Sequence, residues 1–261
     1  RPAGFKRAAG GESTMTVVVL LADPPRPELR FPDLAATSPL SGSEAAELAA
    51  AMDRDAMRAV ERSGADLLVN YRPEDSLDEA HRTDASPEAE MRALAADAVE
   101  DVSDVRFEPQ VGSTPSARLG NTVTHLLEEE ETGSVAVLHG NTPFVTRSAI
   151  DSAAMKLRSN EVVLGPGAGG AVYYAGFTDT VDFSDALTPP ALNTLAELAR
   201  GEGHDTEFLP TRPTVRTGDE LASVVAEVRA RVAADRVVPE FTSALIEEYG
   251  LVVDEDGLTR V

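Results

Sequence analysis

The chain has 261 residues, of which 45 are Asp or Glu and 23 are Lys or Arg, so its formal net charge at pH 7 is −22. Such a charge repels phosphate backbones and anionic lipid surfaces, which disfavours nucleic-acid binding and membrane association. The sequence contains no cysteine, which excludes disulfides, thiol nucleophiles and cysteine-ligated metals, and no apolar run in it is long enough to span a membrane. We therefore expect a cytoplasmic globular protein with one large α/β domain or two small ones.

The basic residues are unusual in kind, because only Lys6 and Lys156 are lysines and the others are arginines. An acid excess with few lysines predicts a halophilic protein, since molar salt screens repulsion between surface carboxylates within about 3 Å. A GC-rich genome also favours arginine codons, but it does not require so large an acid excess. We favour the halophilic interpretation, which predicts partial unfolding in dilute buffer.

Residues 1–14 are polar and rich in glycine and alanine, which predicts either a disordered leader or an upstream extension of the reading frame, with Met15 as the natural start. Beyond them, apolar runs alternate with amphipathic helical patterns. The predicted strands are, in chain order, 15–22, 65–70, 105–109, 135–138, 161–164, 171–177 and 205–209. The predicted helices are, in the same order, 44–62 with Ser43 as its cap, 87–102, 119–131, 143–157, 189–200, 218–234 and 241–249.

This alternation indicates a three-layer α/β/α sandwich with a mostly parallel central sheet. The sequence has no repeat of fixed period and no long linker. We predict a single domain over residues 15–238, followed at 239–261 by a C-terminal helix and a tail that frays.

Ligands of such sheets bind outside the carboxyl ends of the strands, so the loops that follow strands are the candidate binding elements. Four loops qualify, at residues 23–41, 139–143, 165–170 and 210–217. The loop at 165–170 has four glycines, whose N–H groups could cradle a phosphate. It is neither a P-loop, which needs GK[ST], nor a dinucleotide fingerprint, since a strand follows it. A tight surface turn explains the glycines equally well.

The loop at 139–143 brings His139, Asn141 and Thr142 directly after a buried strand. The Asn141 amide both donates and accepts hydrogen bonds, which suits a ribose or sugar hydroxyl. Thr142 precedes a proline, and we predict that it caps the following helix. Asp179 and Asp182 are candidate ligands for a hard cation, although a solvated acidic surface explains them equally well.

Six segments carry a resemblance to a known family. They are, in chain order, VVVLLADPP, GADLLVNYRP, PQVGSTPSARLGNTV, VAVLHGNTP, EVVLGPGAGGAVYYAGF and FLPTRPTVRTGDEL. Over roughly residues 17–234 the chain resembles the GT-A-like nucleotide-diphospho-sugar transferase superfamily. Within it, the chain is most similar to uncharacterised glycosyltransferase-like proteins that are distant relatives of MobA-type nucleotidyltransferases. The resemblance implies a nucleotide or nucleotide-sugar as ligand. The binding residues that loop position and resemblance imply are Asp23, Arg26, Arg30, Asn141, Gly165, Gly167, Gly169 and Arg216.

The chain departs from this family where charge matters. Where the family has a lysine after its first strand, this chain has Asp23, and Asn141 and Gly169 stand at positions that are acidic in the family. The late acidic motif is replaced by the segment at 214–217, which contains Arg216. Neutral side chains hold Mg²⁺ or Mn²⁺ weakly, so the resemblance leaves the use of either metal in doubt.

Three interpretations therefore remain open. The protein is a rewired nucleotide-sugar transferase in which Arg30 and Arg216 neutralise the diphosphate; or it is a non-catalytic GT-A-fold protein that binds or regulates a protein partner; or Asp179 and Asp182 rebuild the metal site from another loop. The first and third together predict an enzyme and are favoured. A homo-oligomer is compatible with each.

Overall fold

The computed structural model describes residues 15–261, so the predicted leader at 1–14 lies outside the described residues. Within residues 15–261, seven strands form a central sheet. They are β1 (Thr16–Ala22), β2 (Asp66–Tyr71), β3 (Arg106–Pro109), β4 (Ser134–Leu138), β5 (Val162–Pro166), β6 (Val172–Phe177) and β7 (Thr206–Phe208). The helices are α1 (Pro32–Thr37), α2 (Gly42–Glu61), α3 (Pro87–Ala98), α4 (Pro115–Thr124), α5 (Arg147–Lys156), α6 (Ala191–Glu202), α7 (Gly218–Ala233) and α8 (Glu240–Glu248).

The sheet has the strand order β3-β2-β1-β4-β6-β5-β7. All neighbouring pairs are parallel except β4 with β6 and β5 with β6, which are antiparallel. The predicted mostly parallel sheet is thus confirmed. Strand β6 reverses because the loop between Pro166 and Val172 is too short for the crossover that a parallel pair requires. The glycine-rich loop follows β5, which runs in the same direction as β4, so the loop lies where the parallel strands end.

Helices cover both faces of the sheet, as predicted for an α/β/α sandwich. On one face, α2, α3 and α5 contribute Met57, Met91 and Ile150 to an apolar core. On the other face, α4 and α6 contribute Leu119 and Leu195. The strands between them are buried on both sides, which explains their continuous apolar sequences.

A third core lies on the outer side of α2, where it packs against α1, α7 and α8. The alanine-rich sequence of α2 allows this close packing on two sides, and Met52 and Met57 face different cores. After α8 the chain does not fray, contrary to the prediction. It forms an antiparallel hairpin of β8 (Leu251–Asp254) and β9 (Gly257–Arg260), because Leu251 is buried in this third core.

Several helix starts differ from the predicted ones. Ser41, not Ser43, caps α2 through a reciprocal capping box with Glu44. Thr146, not Thr142, caps α5, because residues 143–145 form a loop that packs Phe144 into the third core. The short helix α1 lies within the predicted loop at 23–41. No helix between residues 15 and 261 has both the length and the apolar character needed to cross a membrane.

Candidate functional site

A cavity of about 320 Å³ opens at the carboxyl edge of the sheet, between the ends of β1 and β4. The strand order changes direction between these two strands, which is where open α/β sheets bind ligands. Residues of all four predicted loops meet there. Predicted residues that line this cavity are Asp23, Arg30, Asn141, Gly169 and Arg216. We call this cavity the main cleft.

Arg30 is fixed at the base of the main cleft by a buried ion pair. Its Nη1 donates to Oδ2 of Asp53 at 2.6 Å, and its Nη2 donates to the His139 carbonyl oxygen at 2.6 Å. Burial raises the pKa of Asp53 to about 6, and the Arg30 guanidinium opposes that shift. At neutral pH the pair is therefore ionised, and it joins the loop after β1 to α2 and β4.

Asp23 forms an ion pair with Arg72, which follows β2. Arg72 Nε lies 3.3 Å from Asp23 Oδ1, but the two atoms are not aligned as a hydrogen bond and both remain unsatisfied. A smaller pocket of about 140 Å³, which we call the side pocket, adjoins the main cleft here. It shares Asp23, Arg30 and His139 with the main cleft and adds Arg72 and Arg118.

Arg216 and Gly169 form the opposite wall of the main cleft. Arg216 Nη2 donates to Glu220 at 2.7 Å and to the Ala168 carbonyl oxygen at 3.3 Å, so the guanidinium lies against the glycine-rich loop. Gly169 has a φ of 61°, in the left-handed region that favours glycine. The loop is a tight turn, and two of its glycines, Gly169 and Gly170, line the main cleft.

Three other predicted binding residues lie outside the main cleft. A Cβ on Gly165 would meet the Tyr173 ring at 2.7 Å, and one on Gly167 would meet Thr214 at 2.6 Å, so both glycines serve packing. Arg26 is buried, and its guanidinium donates to the carboxylates of Glu74 and Glu90 and to the carbonyl oxygens of His81 and Ala85. These bonds hold the segment after β2 in place.

Asp179 and Asp182 follow the carboxyl end of β6, and because β6 is antiparallel this end lies at the opposite edge of the sheet. Asp182 accepts a bond from the Ser184 amide, and Asp179 from Thr180. Within residues 15–261, no group of three or more His, Cys, Asp or Glu side chains is arranged to hold a metal ion. The geometry thus gives no support to a metal site rebuilt from these two residues.

Three buried side-chain atoms of residues that line the main cleft lack hydrogen-bond partners among residues 15–261. They are Oδ1 of Asp23, Nε2 of His139 and Oδ1 of Asn141. Burial and the nearby Arg30 charge lower the pKa of His139 to about 4, so its imidazole is neutral at pH 7. A buried polar atom without a partner needs a hydrogen bond that a bound ligand or water can supply.

These residues do not fit a divalent cation. Mg²⁺ and Mn²⁺ prefer several oxygen ligands including carboxylates, whereas Asp23 is the one carboxylate among the described residues of the cleft wall, and Arg72 neutralises it. The Arg30 charge that lowers the His139 pKa also repels a cation. The cleft is therefore better suited to an anionic ligand.

A second cavity of about 320 Å³ lies away from the strand ends, beside α2 and α5. Three of the arginines in its wall already have carboxylate partners: Arg58 pairs with Glu240, Arg147 with Asp151 and Arg231 with Glu227. Ion pairing does not distinguish this cavity from the main cleft, where Arg30 pairs with Asp53 and Arg216 with Glu220. We assign the functional site to the main cleft because that cavity lies at the switch point of the sheet.

The sequence analysis did not single out Arg72, Arg118 or Asp53. Arg72 follows β2 just as Asp23 follows β1, so the strand-end rule could have found it. Arg118 lies in the first turn of α4, within one of the segments that carried the family resemblance. Asp53 lies within α2, where nothing in the sequence marks it as buried.

The fold defines the class of protein. The chain has the GT-A-like nucleotide-diphospho-sugar transferase fold: it superposes with a TM-score of 0.70 on a Desulfovibrio desulfuricans G20 protein described as a "putative nucleotide-diphospho-sugar transferase". The two chains are 18% identical, and the match covers 89% of this chain and 94% of the other.

Residues 59–188 match the family DUF2064, described as uncharacterized protein conserved in bacteria. Two other solved structures align at lower similarity. CMP:2-keto-3-deoxy-manno-octonic acid synthetase complexed with CTP is 13% identical, with 85% of this chain and 99% of that chain covered and a TM-score of 0.47. Rv0371c of Mycobacterium tuberculosis H37Rv in complex with manganese is 16% identical, with 81% and 97% covered and a TM-score of 0.43. No curated protein sequence matches this chain.

Proposed function

We propose that this protein is a nucleotide-sugar-dependent glycosyltransferase, or a related nucleotidyltransferase, that neutralises its ligand's phosphates with arginines. One observation carries the proposal: separate loops bring Arg30, Arg216, Asn141 and His139 to one cavity at the switch point of the sheet. Guanidinium groups bind diphosphate oxygens in pairs and keep their charge at any working pH.

Each wall of the main cleft has a distinct part in this proposal. Arg216 and the backbone at Gly169 hold the diphosphate, and the polar side chains of His139 and Asn141 form hydrogen bonds with sugar or ribose hydroxyls. During transfer, the bond to the leaving phosphate breaks as an acceptor oxygen bonds to the transferred group, and the proton of a hydroxyl acceptor passes to the leaving phosphate. Arg30 and Arg216 stabilise the negative charge that develops on the leaving group.

Thermal unfolding with a panel of nucleotides and nucleotide-sugars, with a chelator or with Mg²⁺ or Mn²⁺, tests the proposal. We expect one ligand to raise the melting temperature of the wild type in the presence of chelator, because binding to the native state stabilises it. Arg216→Ala should abolish the shift. Arg158→Ala, which removes an exposed arginine with no side-chain bond within residues 15–261, should retain it. A shift that requires metal would contradict the arginine-based binding.

The alternative is a protein that binds the same ligand without transferring it. This is favoured by the state of Asp23, the carboxylate of the cleft wall, which is already paired with Arg72 and is therefore a poor general base. Nucleotide-sugar binding with no hydrolysis or transfer, together with a protein partner that co-purifies from the native host, would support this alternative. Cytoplasmic location and halophilic origin belong to the proposal and rest on composition.

A further inference from the structure

The side pocket is too small for a whole substrate. Its volume of about 140 Å³ is less than half of the roughly 300–1,000 Å³ that sites for complete small molecules occupy. It opens beside the main cleft, with which it shares Asp23, Arg30 and His139. A ligand in the main cleft can therefore extend one group into the side pocket.

Arg118 distinguishes this pocket from the rest of the site. The other arginines of the two cavities each have a carboxylate partner: Arg30 pairs with Asp53 at 2.6 Å, Arg72 with Asp23 at 3.3 Å and Arg216 with Glu220 at 2.7 Å. The Arg118 side chain has no ion pair and no hydrogen bond with any of residues 15–261. Arg158 also lacks a carboxylate partner among these residues, but it is exposed to solvent, whereas Arg118 is partly buried in the wall of the side pocket.

The environment of Arg118 is unfavourable for its charge in the absence of an anion. Partial burial and the charge of Arg72 both lower the pKa of the Arg118 guanidinium, and the nearby Asp23 carboxylate opposes this shift only in part. An arginine keeps its proton under such conditions, so the cost is a positive charge that Asp23 compensates incompletely. An anion between Arg72 and Arg118 would remove that cost.

The surrounding backbone makes the pocket rigid. The Gln110 side chain donates to the carbonyls of Ala22 at 3.2 Å and Asn70 at 2.7 Å, which fixes it across the ends of β1 and β2. Gly112, with a φ of 135°, allows the loop after β3 to pack against α4, because a Cβ there would lie 2.9 Å from the Arg118 nitrogen. Arg118 is thus held near Arg72 by the backbone.

We propose that the side pocket is an anion subsite in which Arg72 and Arg118 bind one phosphate-sized oxyanion of a ligand that extends from the main cleft. This inference rests on the proposed function, because it adds a second anionic group to the ligand of the same cleft. That group is either a phosphate of the nucleotide or a phosphate of the acceptor, and both sources share the chemistry that the two guanidiniums recognise.

Calorimetric titration with inorganic phosphate tests the subsite directly, at a salt concentration where every variant is folded. We expect Arg118→Gln to weaken phosphate binding about tenfold or more and to leave the melting temperature unchanged or higher, since Arg118 makes no side-chain bond that the substitution removes. Arg158→Gln is the matched control and should bind phosphate as the wild type does. Undetectable phosphate binding to the wild type, or equal affinity in Arg118→Gln, would overturn the inference.

Competition experiments then identify the source of the anion. Displacement of phosphate by a hexose phosphate alone indicates a phosphorylated acceptor, whereas displacement by a nucleoside diphosphate indicates a nucleotide phosphate. The two proposals also fail separately. Phosphate binding that depends on Arg118, without any nucleotide-sugar binding, supports the subsite and contradicts the proposed function. Nucleotide-sugar binding that depends on Arg216, together with a phosphate affinity that Arg118→Gln does not change, supports the proposed function and contradicts the subsite.

Discussion

Gly140 is the residue on which the geometry of the main cleft depends most closely. It has a φ of 55°, and a Cβ at this position would overlap Oδ1 of Asp53 and lie 2.6 Å from Nη2 of Arg30. Only glycine allows the loop after β4 to lie directly over this buried ion pair. The pair in turn holds Arg30 against the His139 carbonyl.

We expect Gly140→Ala to destabilise the protein by more than about 2 kcal/mol, since left-handed strain costs about 1–2 kcal/mol and the overlap adds to it. Phosphate and nucleotide binding should weaken as Arg30 is displaced. Gly201→Ala is the matched control. It lies in α6 with open space around it, and we expect it to be neutral or to stabilise by up to about 1 kcal/mol. Urea unfolding measures both variants, and equal effects would contradict this role of Gly140.

His139 predicts a pH dependence of stability. Its pKa in the folded protein is about 4, below the ordinary value of 6.5. Between pH 4 and pH 6.5 this histidine binds more protons in the unfolded chain than in the folded one. The stability that belongs to its neutral form is therefore fully present above about pH 6.5 and is lost as the pH falls towards 4. The raised pKa of Asp53, about 6, has the opposite sign, since the folded state then binds the extra proton.

Comparison of His139→Gln with the wild type isolates the contribution of the histidine, because both proteins contain Asp53. Between pH 7 and pH 4.5 the free energy of unfolding of His139→Gln should fall by about 2 kcal/mol less than that of the wild type, because the variant has no histidine to titrate at this position. Denaturant unfolding at the two pH values measures this difference. A wild type and variant that lose stability in parallel would show that His139 is not neutral in the fold.

At the scale of elements, Asp55 connects α2 to α8. It accepts bonds from the amides of Phe241 at 3.0 Å and Thr242 at 2.9 Å and from the Thr242 hydroxyl at 2.6 Å. Burial raises the pKa of Asp55, and these bonds to Thr242 and Phe241 oppose that shift. An acidic side chain from one helix thus supplies the cap that α8 lacks in its own sequence, where Pro239 is the N-cap.

We expect Asp55→Ala to destabilise the protein by about 2–3 kcal/mol, because it removes a cap and leaves the Thr242 hydroxyl buried without a partner. A double-mutant cycle with Thr242→Val should be less than additive, since both variants remove the same contact. Glu248→Ala, an exposed substitution on the same helix, serves as control and should stay within about 0.5 kcal/mol. Full additivity in the cycle would refute the contact.

At the scale of the whole molecule, the charge of −22 determines the salt response. Repulsion among surface carboxylates is screened beyond about 10 Å at 0.1 M salt and beyond about 3 Å at 1 M. We expect the melting temperature to rise by about 5 °C or more between about 0.1 M and 1 M KCl. Sucrose at matched osmolality is the control for solvent effects without screening. A melting temperature that KCl does not change would exclude the halophilic interpretation.

The class of fold could be predicted from the sequence because the periodicity of apolar residues shows which face of each strand or helix is buried. Strands buried on both faces have continuous apolar runs, and amphipathic helices alternate with them, which leaves few topologies besides an α/β/α sandwich. The strand-end rule also located the candidate site, since Asp23, Asn141 and Gly169 all line the main cleft. These features depend on local pattern and on neighbours in the chain.

The tertiary structure decided which of the candidates meet. The direction of β6 moved Asp179 and Asp182 to the far edge of the sheet, and packing against Tyr173 and Thr214 removed Gly165 and Gly167 from the cleft. The pairing of Arg30 with Asp53, and the position of Arg118 without a carboxylate partner within residues 15–261, join segments far apart in the chain. The hydrophobic periodicity of a segment does not predict such contacts, because the burial of a charged side chain depends on which distant segments pack against it.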